Sequence, residues 1–131
     1  MIGLDSNVIL RAITGDDPVQ SPLARRFLAT LSSNRPGVIN SVVLVETART
    51  LRARHKYPKR EILKRIENFL RSSAYHIVDR DAVSEALQVS SQHSIEFADA
   101  LIGEINRLVG CATTMTLNEG ASRAPGFTQL Q

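Results

Sequence analysis

Short apolar segments of two different periodicities alternate along the chain. Brief apolar runs predict buried strands, and between them apolar residues recur every three or four positions, which is the spacing of amphipathic helices. The predicted strands cover residues 1–4, 38–40, 75–78 and 111–117, with a further edge strand at 127–130. The predicted helices cover residues 8–14, 22–31, 42–56, 59–70, 82–92 and 94–108. Strands that alternate with helices need crossover connections, so the pattern predicts an α/β fold with a largely parallel sheet and helices on both faces.

Residues that favour helix ends mark most of these boundaries. A side-chain oxygen before a helix accepts hydrogen bonds from free amides, and a glycine after it adopts the left-handed conformation that closes the last turn. N-caps are predicted at Asp5-Ser6-Asn7, Ser21, Ser41 and Asp81, and glycine ends at Gly15 and Gly110. Ligands of parallel sheets bind at the carboxyl ends of the strands. The residues after the first and last strands, 5–7 and 118–119, are therefore candidate functional residues.

Composition indicates a single soluble domain over residues 1–131. The chain of 131 residues is long enough for one core, and its 43% hydrophobic and 22% charged residues are typical of globular proteins. The longest apolar stretch, Val42 to Val45, is far shorter than the roughly 20 residues of a membrane span, and no signal sequence precedes it. We therefore expect a cytoplasmic protein without membrane attachment. Cys111 is the only cysteine and is expected to be a small buried apolar residue.

Positive charge is concentrated in one segment of the chain. Eight of the 16 basic residues lie between Arg49 and Arg65 with Glu61 as the only acid, so this basic segment carries +7 and the remainder carries −4. Basic side chains that bind phosphates release counterions, which favours a polyanion such as RNA. The alternative is that these residues are the solvated faces of two helices. Candidate RNA-binding residues are Arg49, Arg52, Arg54 and Lys56. With few aromatic residues, RNA affinity is expected to come mainly from phosphate contacts.

Three acids have apolar neighbours in the sequence. Asp5 follows the first predicted strand, Glu46 follows four apolar residues, and Asp99 lies among the apolar residues of the last long helix. Each has a simpler explanation: a helix cap for Asp5, an ion pair with Arg49 for Glu46, and stabilisation of a helix first turn for Asp99. Acids gathered at an apolar sheet end, however, need a cation between them or raised pKa values. Mg²⁺ satisfies that need, polarises a phosphate and generates a nucleophile from its bound water.

The acids occur in three motifs: LDSNVILR at residues 4–11, VETA at residues 45–48 and EFADALI at residues 96–102. In order and spacing these motifs resemble the PIN-domain family, and specifically its VapC-type toxins, over essentially the whole chain. The resemblance implies a three-layer α/β/α fold with a short, mostly parallel central sheet. It also implies metal-dependent endoribonuclease activity with Mg²⁺ or Mn²⁺, homodimerisation, and neutralisation by a cognate antitoxin of a type II toxin–antitoxin system. The catalytic, metal-binding acids it implies are Asp5, Glu46 and Asp99, with Ser6 orienting Asp5 and Glu96 as an accessory acid.

One position departs from the family's pattern. The family typically has an aspartate after the last strand, and this sequence has Asn118 there, followed by Glu119. Asn118 can offer a neutral oxygen as an accessory ligand, but the lost charge is expected to weaken a second metal position most. Glu119 replaces that charge only if its side chain turns inward, and its place directly after Asn118 predicts an outward orientation.

Two alternatives to an active nuclease remain from the sequence. One is a catalytically weakened PIN domain that binds RNA or an antitoxin without cutting, which the asparagine at position 118 supports. The other is a phosphatase with Asp5 as its nucleophile, which the sequence favours much less, because Asn7 stands where such enzymes carry a second aspartate. The three histidines show no pairing that indicates a metal site or an activated nucleophile.

Overall fold

Seven helices and five short strands alternate in the computed structural model, which describes residues 1–131. The strands are β1 (Ile2–Gly3), β2 (Gly37–Ile39), β3 (Tyr75–Ile77), β4 (Thr114–Thr116) and β5 (Phe127–Gln129). The helices are α1 (Ser6–Thr14), α2 (Gln20–Leu28), α3 (Ser41–Ala53), α4 (Lys59–Arg71), α5 (Arg80–Gln92), α6 (Phe97–Leu108) and α7 (Glu119–Ser122). The predicted α/β class is confirmed, and the short parallel strands between helices agree with a three-layer α/β/α fold.

All strand pairs are parallel, and they form two separate ladders. The first has the order β1-β2-β3, with Ile2 opposite Gly37 and Gly37 opposite Tyr75. The second pairs β4 with β5, with Thr114 opposite Phe127. Because the strands of each ladder are parallel, the residues that follow β1, β2 and β3 leave the sheet at the same edge. Asp5, two residues after β1, lies at that edge.

A single apolar core connects the first ladder to the long helices. Ile39 of β2 and Ile77 of β3 expose 0% and 4% of their surface, and they belong to one buried cluster with Leu51 of α3 and Leu101 of α6. Helix α3 packs against α1, α4 and α6. This position of α3 places Arg49 and Arg52 beside the start of α6. No helix has the length and apolar content that a bilayer span requires.

The predicted ends of α1 are confirmed. Asp5 is its N-cap and accepts a hydrogen bond from the Ser6 amide at 2.8 Å, and Gly15 closes the helix with a φ of 63°. The predicted N-cap at Ser21 is wrong, because Asp17 accepts bonds from the amides of Val19 and Gln20 at 2.9 and 2.7 Å and α2 begins one residue before Ser21.

Helix α4 begins at Lys59 as predicted, but the starts of three other helices differ from the prediction. Asn40, and not Ser41, caps α3, since its side chain accepts a bond from the Val43 amide at 3.0 Å. Helix α5 begins at Arg80, so Asp81 lies in its first turn. Helix α6 begins at Phe97, three residues later than predicted. There Ser90 Oγ donates to the carbonyl of Ile95 at 2.7 Å. In a helix that began at residue 94, this carbonyl would instead accept a hydrogen bond from a backbone amide.

The C-terminal region differs most from the sequence prediction. Strand β4 covers three residues instead of the predicted seven, and the single-turn helix α7 was not predicted. Cys111 is exposed, so its prediction as a buried residue is wrong. It follows Gly110, whose φ of 97° turns the chain away after α6. The predicted edge strand near the C-terminus is confirmed as β5.

Candidate active site

The cleft between α3 and α6 brings together three of the residues selected from the sequence. Glu96 is the N-cap residue of α6 and Asp99 lies in its first turn. Both acids line two cavities, of about 250 and 360 Å³, and Asn118 lines the larger one with them. The larger cavity is the candidate active site, because it is the place where acidic and amide side chains from α6 and from the residue after β4 meet.

Two ion pairs connect the acids of this cleft to α3. Arg49 Nη2 lies 3.1 Å from Asp99 Oδ1, and Arg52 Nε lies 2.9 Å from Glu96 Oε1. Both the arginines and the acids are three residues apart, so the two pairs run side by side between the helices. Arg49 and Arg52, which the sequence suggested for phosphate binding, here neutralise the acids of the candidate site.

Glu46 lies on α3, one turn before Arg49. The sequence allowed an ion pair between these two residues, but Arg49 pairs with Asp99 and Glu46 has no ion-pair partner. Residues three apart on a helix are neighbours, so Glu46 lies close to the side chain that contacts Asp99. Its side chain is exposed and lines neither cavity. Glu46 is therefore an exposed acid of α3 outside both cavities, although four apolar residues precede it in the sequence.

Asp5 lies at the carboxyl end of β1 and has no cationic partner. One of its oxygens caps α1, as the simpler explanation predicted, and the residue is exposed. Ser6 contacts it through the backbone amide, and the residue itself is buried. Asp5 lines neither cavity of the α3–α6 cleft. The structure thus brings Asp99, Glu96 and Asn118 together and leaves Asp5 outside that group.

Asn118 uses its side-chain oxygen within its own segment. Asn118 Oδ1 accepts a hydrogen bond from the Ala121 amide at 3.1 Å and thereby caps α7. Glu119 points outward, as expected: its side chain is 73% exposed and forms an ion pair with Arg123 at 2.9 Å. No acid therefore replaces the charge that Asn118 lacks at this position.

The basic segment divides into paired and free residues. Arg65 pairs with Glu61 at 3.4 Å, and Arg49 and Arg52 pair with the acids of α6. Four further basic residues are exposed and form no ion pair: Arg54, Lys56, Arg60 and Lys64. These four are free to contact phosphates.

Lys59 is a site residue that the sequence analysis did not select. Its ammonium donates to the carbonyls of Ser90 and His93 at 2.7 and 2.9 Å, and its side chain lines both cavities of the cleft. Through these bonds it fixes the segment that leads into Glu96. The only signal in the sequence was its place in the basic segment, directly after Pro58.

The side chains proposed to bind metal carry only oxygen donors, which is the ligand chemistry of Mg²⁺ and Mn²⁺. The donor type therefore fits a hard divalent cation. No group of three or more His, Cys, Asp or Glu side chains is arranged to hold an ion. Two of the acids contact guanidinium groups instead, and two others, Asp5 and Glu46, have no cationic partner.

The family model of the PIN domain matches residues 2–126, and the chain therefore belongs to the PIN-domain family. A comparison with curated proteins gives no match. Domains of this family are generally metal-dependent nucleases that act on RNA. The family suggested by the three motifs is thus confirmed.

Proposed function

We propose that this PIN domain is a metal-dependent endoribonuclease and the toxin of a toxin–antitoxin pair, active as a homodimer and neutralised by a cognate antitoxin protein. The observation that carries the nuclease proposal is the α3–α6 cleft. There Asp99, Glu96 and Asn118 line one cavity directly beside the basic segment. Acids that can hold a cation and the basic side chains of Arg52 and Lys59 then line the same cavity, and cleavage of a polyanion requires both kinds of group.

In this proposal Asp99 would hold Mg²⁺ or Mn²⁺ together with Asp5 and Glu46, which line neither cavity in this structure. Glu96, Asn118 and Ser6 would be accessory residues. The bound ion supplies a Lewis acid for the phosphate and a water of lowered pKa as the nucleophile. Arg49 and Arg52 neutralise Asp99 and Glu96 in this structure, and both arginines would be free to contact phosphates if a cation took their place. Arg54 and Lys56 hold the strand by phosphate contacts alone.

The test is cleavage of total RNA by the purified protein with Mg²⁺, with Mn²⁺ and with a chelator. Removing a group that only supports a ligand costs about 10–100-fold, so Asp99→Asn is expected to lower the cleavage rate by about 100-fold or more. Asp81→Asn is the matched control, because Asp81 is an exposed acid in the first turn of α5 just as Asp99 is in the first turn of α6. Undiminished metal-dependent cleavage by Asp99→Asn contradicts the proposal.

A second candidate function is a binding module that has lost most of its chemistry. The observation that favours it is Asn118, which contributes no charge and uses its oxygen to cap α7. Aspartate caps a helix as well as asparagine does, so Asn118→Asp adds the charge and keeps the cap. A large gain in cleavage with this variant supports the weakened module. Strong cleavage by the native protein that the substitution leaves unchanged excludes it.

The toxin proposal has its own test in bacterial cells. Induced synthesis of the native protein is expected to arrest growth, and synthesis of Asp99→Asn is expected not to. A small reading frame next to the gene that encodes a DNA-binding protein is expected to supply the antitoxin and restore growth. Normal growth with abundant native protein contradicts the toxin role and leaves the nuclease proposal standing.

A further inference from the structure

The smaller cavity of the α3–α6 cleft has an apolar interior. Its volume is about 250 Å³, and its inner wall includes Ala48, Phe97 and Ala98, which expose 4%, 2% and 2% of their surface. Ala53 at the end of α3 also lines it and is exposed. Three of these four residues are alanines, whose short side chains leave space between α3 and α6.

The mouth of this cavity is charged. Arg49 and Arg52 are 58% and 47% exposed there, and Lys59 lies beside them. Asp99 and Glu96 complete the rim, and four of these five residues also line the candidate active site. The apolar cavity therefore adjoins the candidate active site across a shared charged border.

An apolar interior behind a polar rim of three cations and two acids, with a net charge of +1, matches a flat heterocycle attached to an anion. A nucleotide has this composition, and the bases of single-stranded RNA turn outward and become available to a pocket. A volume of about 250 Å³ is below the roughly 300–1,000 Å³ of drug-sized ligand sites, so it suits a single base. Arg52 can stack its guanidinium plane on a base, and Glu96 can accept a bond from a base amino group.

We propose that this cavity binds one nucleobase of the RNA strand, next to the phosphate that is cut. The proposal depends on the proposed nuclease function for its biological meaning, but base binding is measurable without cleavage. The three cations and two acids at the mouth give it a net charge of +1, and this favours a base with its phosphates over an apolar side chain of a protein partner. The cavity then selects the position at which the strand is cut.

The first experiment measures binding without metal, in the presence of a chelator. The probes are the four ribonucleoside 5′-monophosphates and ribose 5-phosphate, which carries the same phosphate and sugar but no base. Base stacking is worth about 1–3 kcal/mol, so at least one nucleotide is expected to bind about tenfold more tightly than ribose 5-phosphate. Equal binding of all five probes overturns the proposal and leaves a protein side chain as the remaining occupant.

The second experiment fills the cavity. Ala53→Phe places a ring at its opening, and Ala53→Leu is a smaller version of the same change. Both are expected to abolish the preference for nucleotides over ribose 5-phosphate. The matched control is Ala29→Phe, since Ala29 is also an exposed alanine, directly after the last residue of α2. A preference that survives both Ala53 variants while circular dichroism shows them folded overturns the proposal.

A third measurement separates this inference from the nuclease proposal. If the native protein cuts RNA, Ala53→Phe is expected to change the ratio of the cleavage rates at different RNA positions by about tenfold. Ala29→Phe is expected to leave this ratio unchanged. Unchanged cleavage positions in Ala53→Phe overturn the base pocket and leave the nuclease intact. If the native protein cuts no RNA, the nuclease proposal fails, and the binding experiments still decide whether the cavity takes a base.

Discussion

Gly103 is the residue at which α6 contacts Phe127 of β5. A Cβ atom at position 103 would lie 2.5 Å from the Phe127 ring, which is closer than atoms pack. Glycine therefore allows β5 to approach the helix that carries Asp99. In the middle of a helix alanine is ordinarily favoured over glycine by about 1 kcal/mol, so the two effects act in opposite directions here.

We expect overpacking to exceed helix propensity at this position. Gly103→Ala should lower the free energy of unfolding by about 1–3 kcal/mol, measured by urea denaturation. Adding Phe127→Leu should recover part of the loss, because the ring is what the new methyl group meets. Gly3→Ala is the control, since a Cβ at Gly3 has no neighbour within 4 Å. A more stable Gly103→Ala protein would contradict this account of the contact.

Asp17 provides a pH-dependent contribution to stability. The amides of Gln20 and Val19 donate to its carboxylate and hold the pKa of Asp17 below the ordinary value of 3.8. A carboxyl whose pKa is lowered by folding stabilises the protein fully above its unfolded pKa, and this contribution disappears as the pH falls through the folded pKa. The cap is therefore complete at neutral pH and lost below pH 3.8.

Asp17→Ala is expected to lower the thermal unfolding midpoint at pH 7. The difference from the native protein should shrink as the pH falls below the ordinary aspartate pKa, because the native carboxylate is then protonated too. Asp17→Asn keeps a capping oxygen without the titration and should resemble the native protein at pH 7. Thermal melts at a series of pH values measure all three proteins. A difference between Asp17→Ala and native protein that stays constant down to pH 2 would rule out this origin.

At the scale of elements, α3 and α6 are joined by core packing and by two ion pairs, and these two kinds of contact have different roles. Exposed ion pairs contribute only about 0–1 kcal/mol each, so the buried contacts of Leu51 and Leu101 account for most of the helix pairing. The Arg49–Asp99 pair instead neutralises an acid that the proposed function assigns to a metal. Arg49 and a cation then compete for the same carboxylate.

Arg49→Gln is therefore expected to tighten Mn²⁺ binding by about two- to fivefold, which corresponds to the free energy of an exposed pair. Isothermal titration calorimetry measures the change. Arg54→Gln is the control, because Arg54 directly follows the last residue of α3 and forms no ion pair. Mn²⁺ affinity that is unchanged or weaker in Arg49→Gln would mean that the pair does not oppose the metal.

The sequence predicted the helices well and the first residues of several of them poorly. Apolar spacing on α4 placed Ile62, Ile66 and Leu70 correctly in the core. The predicted start of α6 at residue 94 was wrong because the Ser90 hydroxyl donates to the carbonyl of Ile95, five residues later, and keeps that carbonyl out of the helix. Such a bond depends on how α5 ends in space, which periodicity does not report.

The sequence predicted only part of the candidate site, again because apolar spacing does not report how elements meet in space. The sequence identified Asp99 and Glu96, and the structure brings both to one cleft with Asn118. It did not predict that Arg49 reaches Asp99 across 50 positions of the chain, because the nearer partner Glu46 was available on the same helix. Long-range pairs of this kind follow from the packing of α3 on α6.

At the scale of the whole molecule, the distribution of charge determines how RNA is held. The basic segment carries +7 on a chain whose remainder is −4. Part of that charge is used internally by the pairs to Asp99 and Glu96, and four exposed, unpaired residues remain: Arg54, Lys56, Arg60 and Lys64. Affinity for single-stranded RNA is therefore expected to fall steeply as salt concentration rises.

Arg54→Gln combined with Lys56→Gln should reduce the slope of log affinity against log salt by about 1.4, since each phosphate contact to a single strand contributes about 0.7. Binding of a short RNA in the presence of a chelator, at several salt concentrations, measures the slope. Arg26→Gln on α2 removes an exposed charge outside the basic segment and should leave the slope unchanged. An unchanged slope in the double variant would mean that Arg54 and Lys56 do not contact phosphates and belong only to solvated helix faces.

The separation of the strands into two ladders affects how firmly Asn118 is held. Between Cys111 and Gln131 only Ala121 and Ala124 are buried, and β4 and β5 form ladder bonds only with each other. Apart from Phe127, which packs on Gly103, this C-terminal region buries little apolar surface, so it should open more often than β2 and β3, and amide hydrogen exchange would be faster there. One wall of the candidate active site would then be absent for part of the time while the rest of the molecule stays folded. The reactivity of the protein would depend on the fraction of time that this wall is in place.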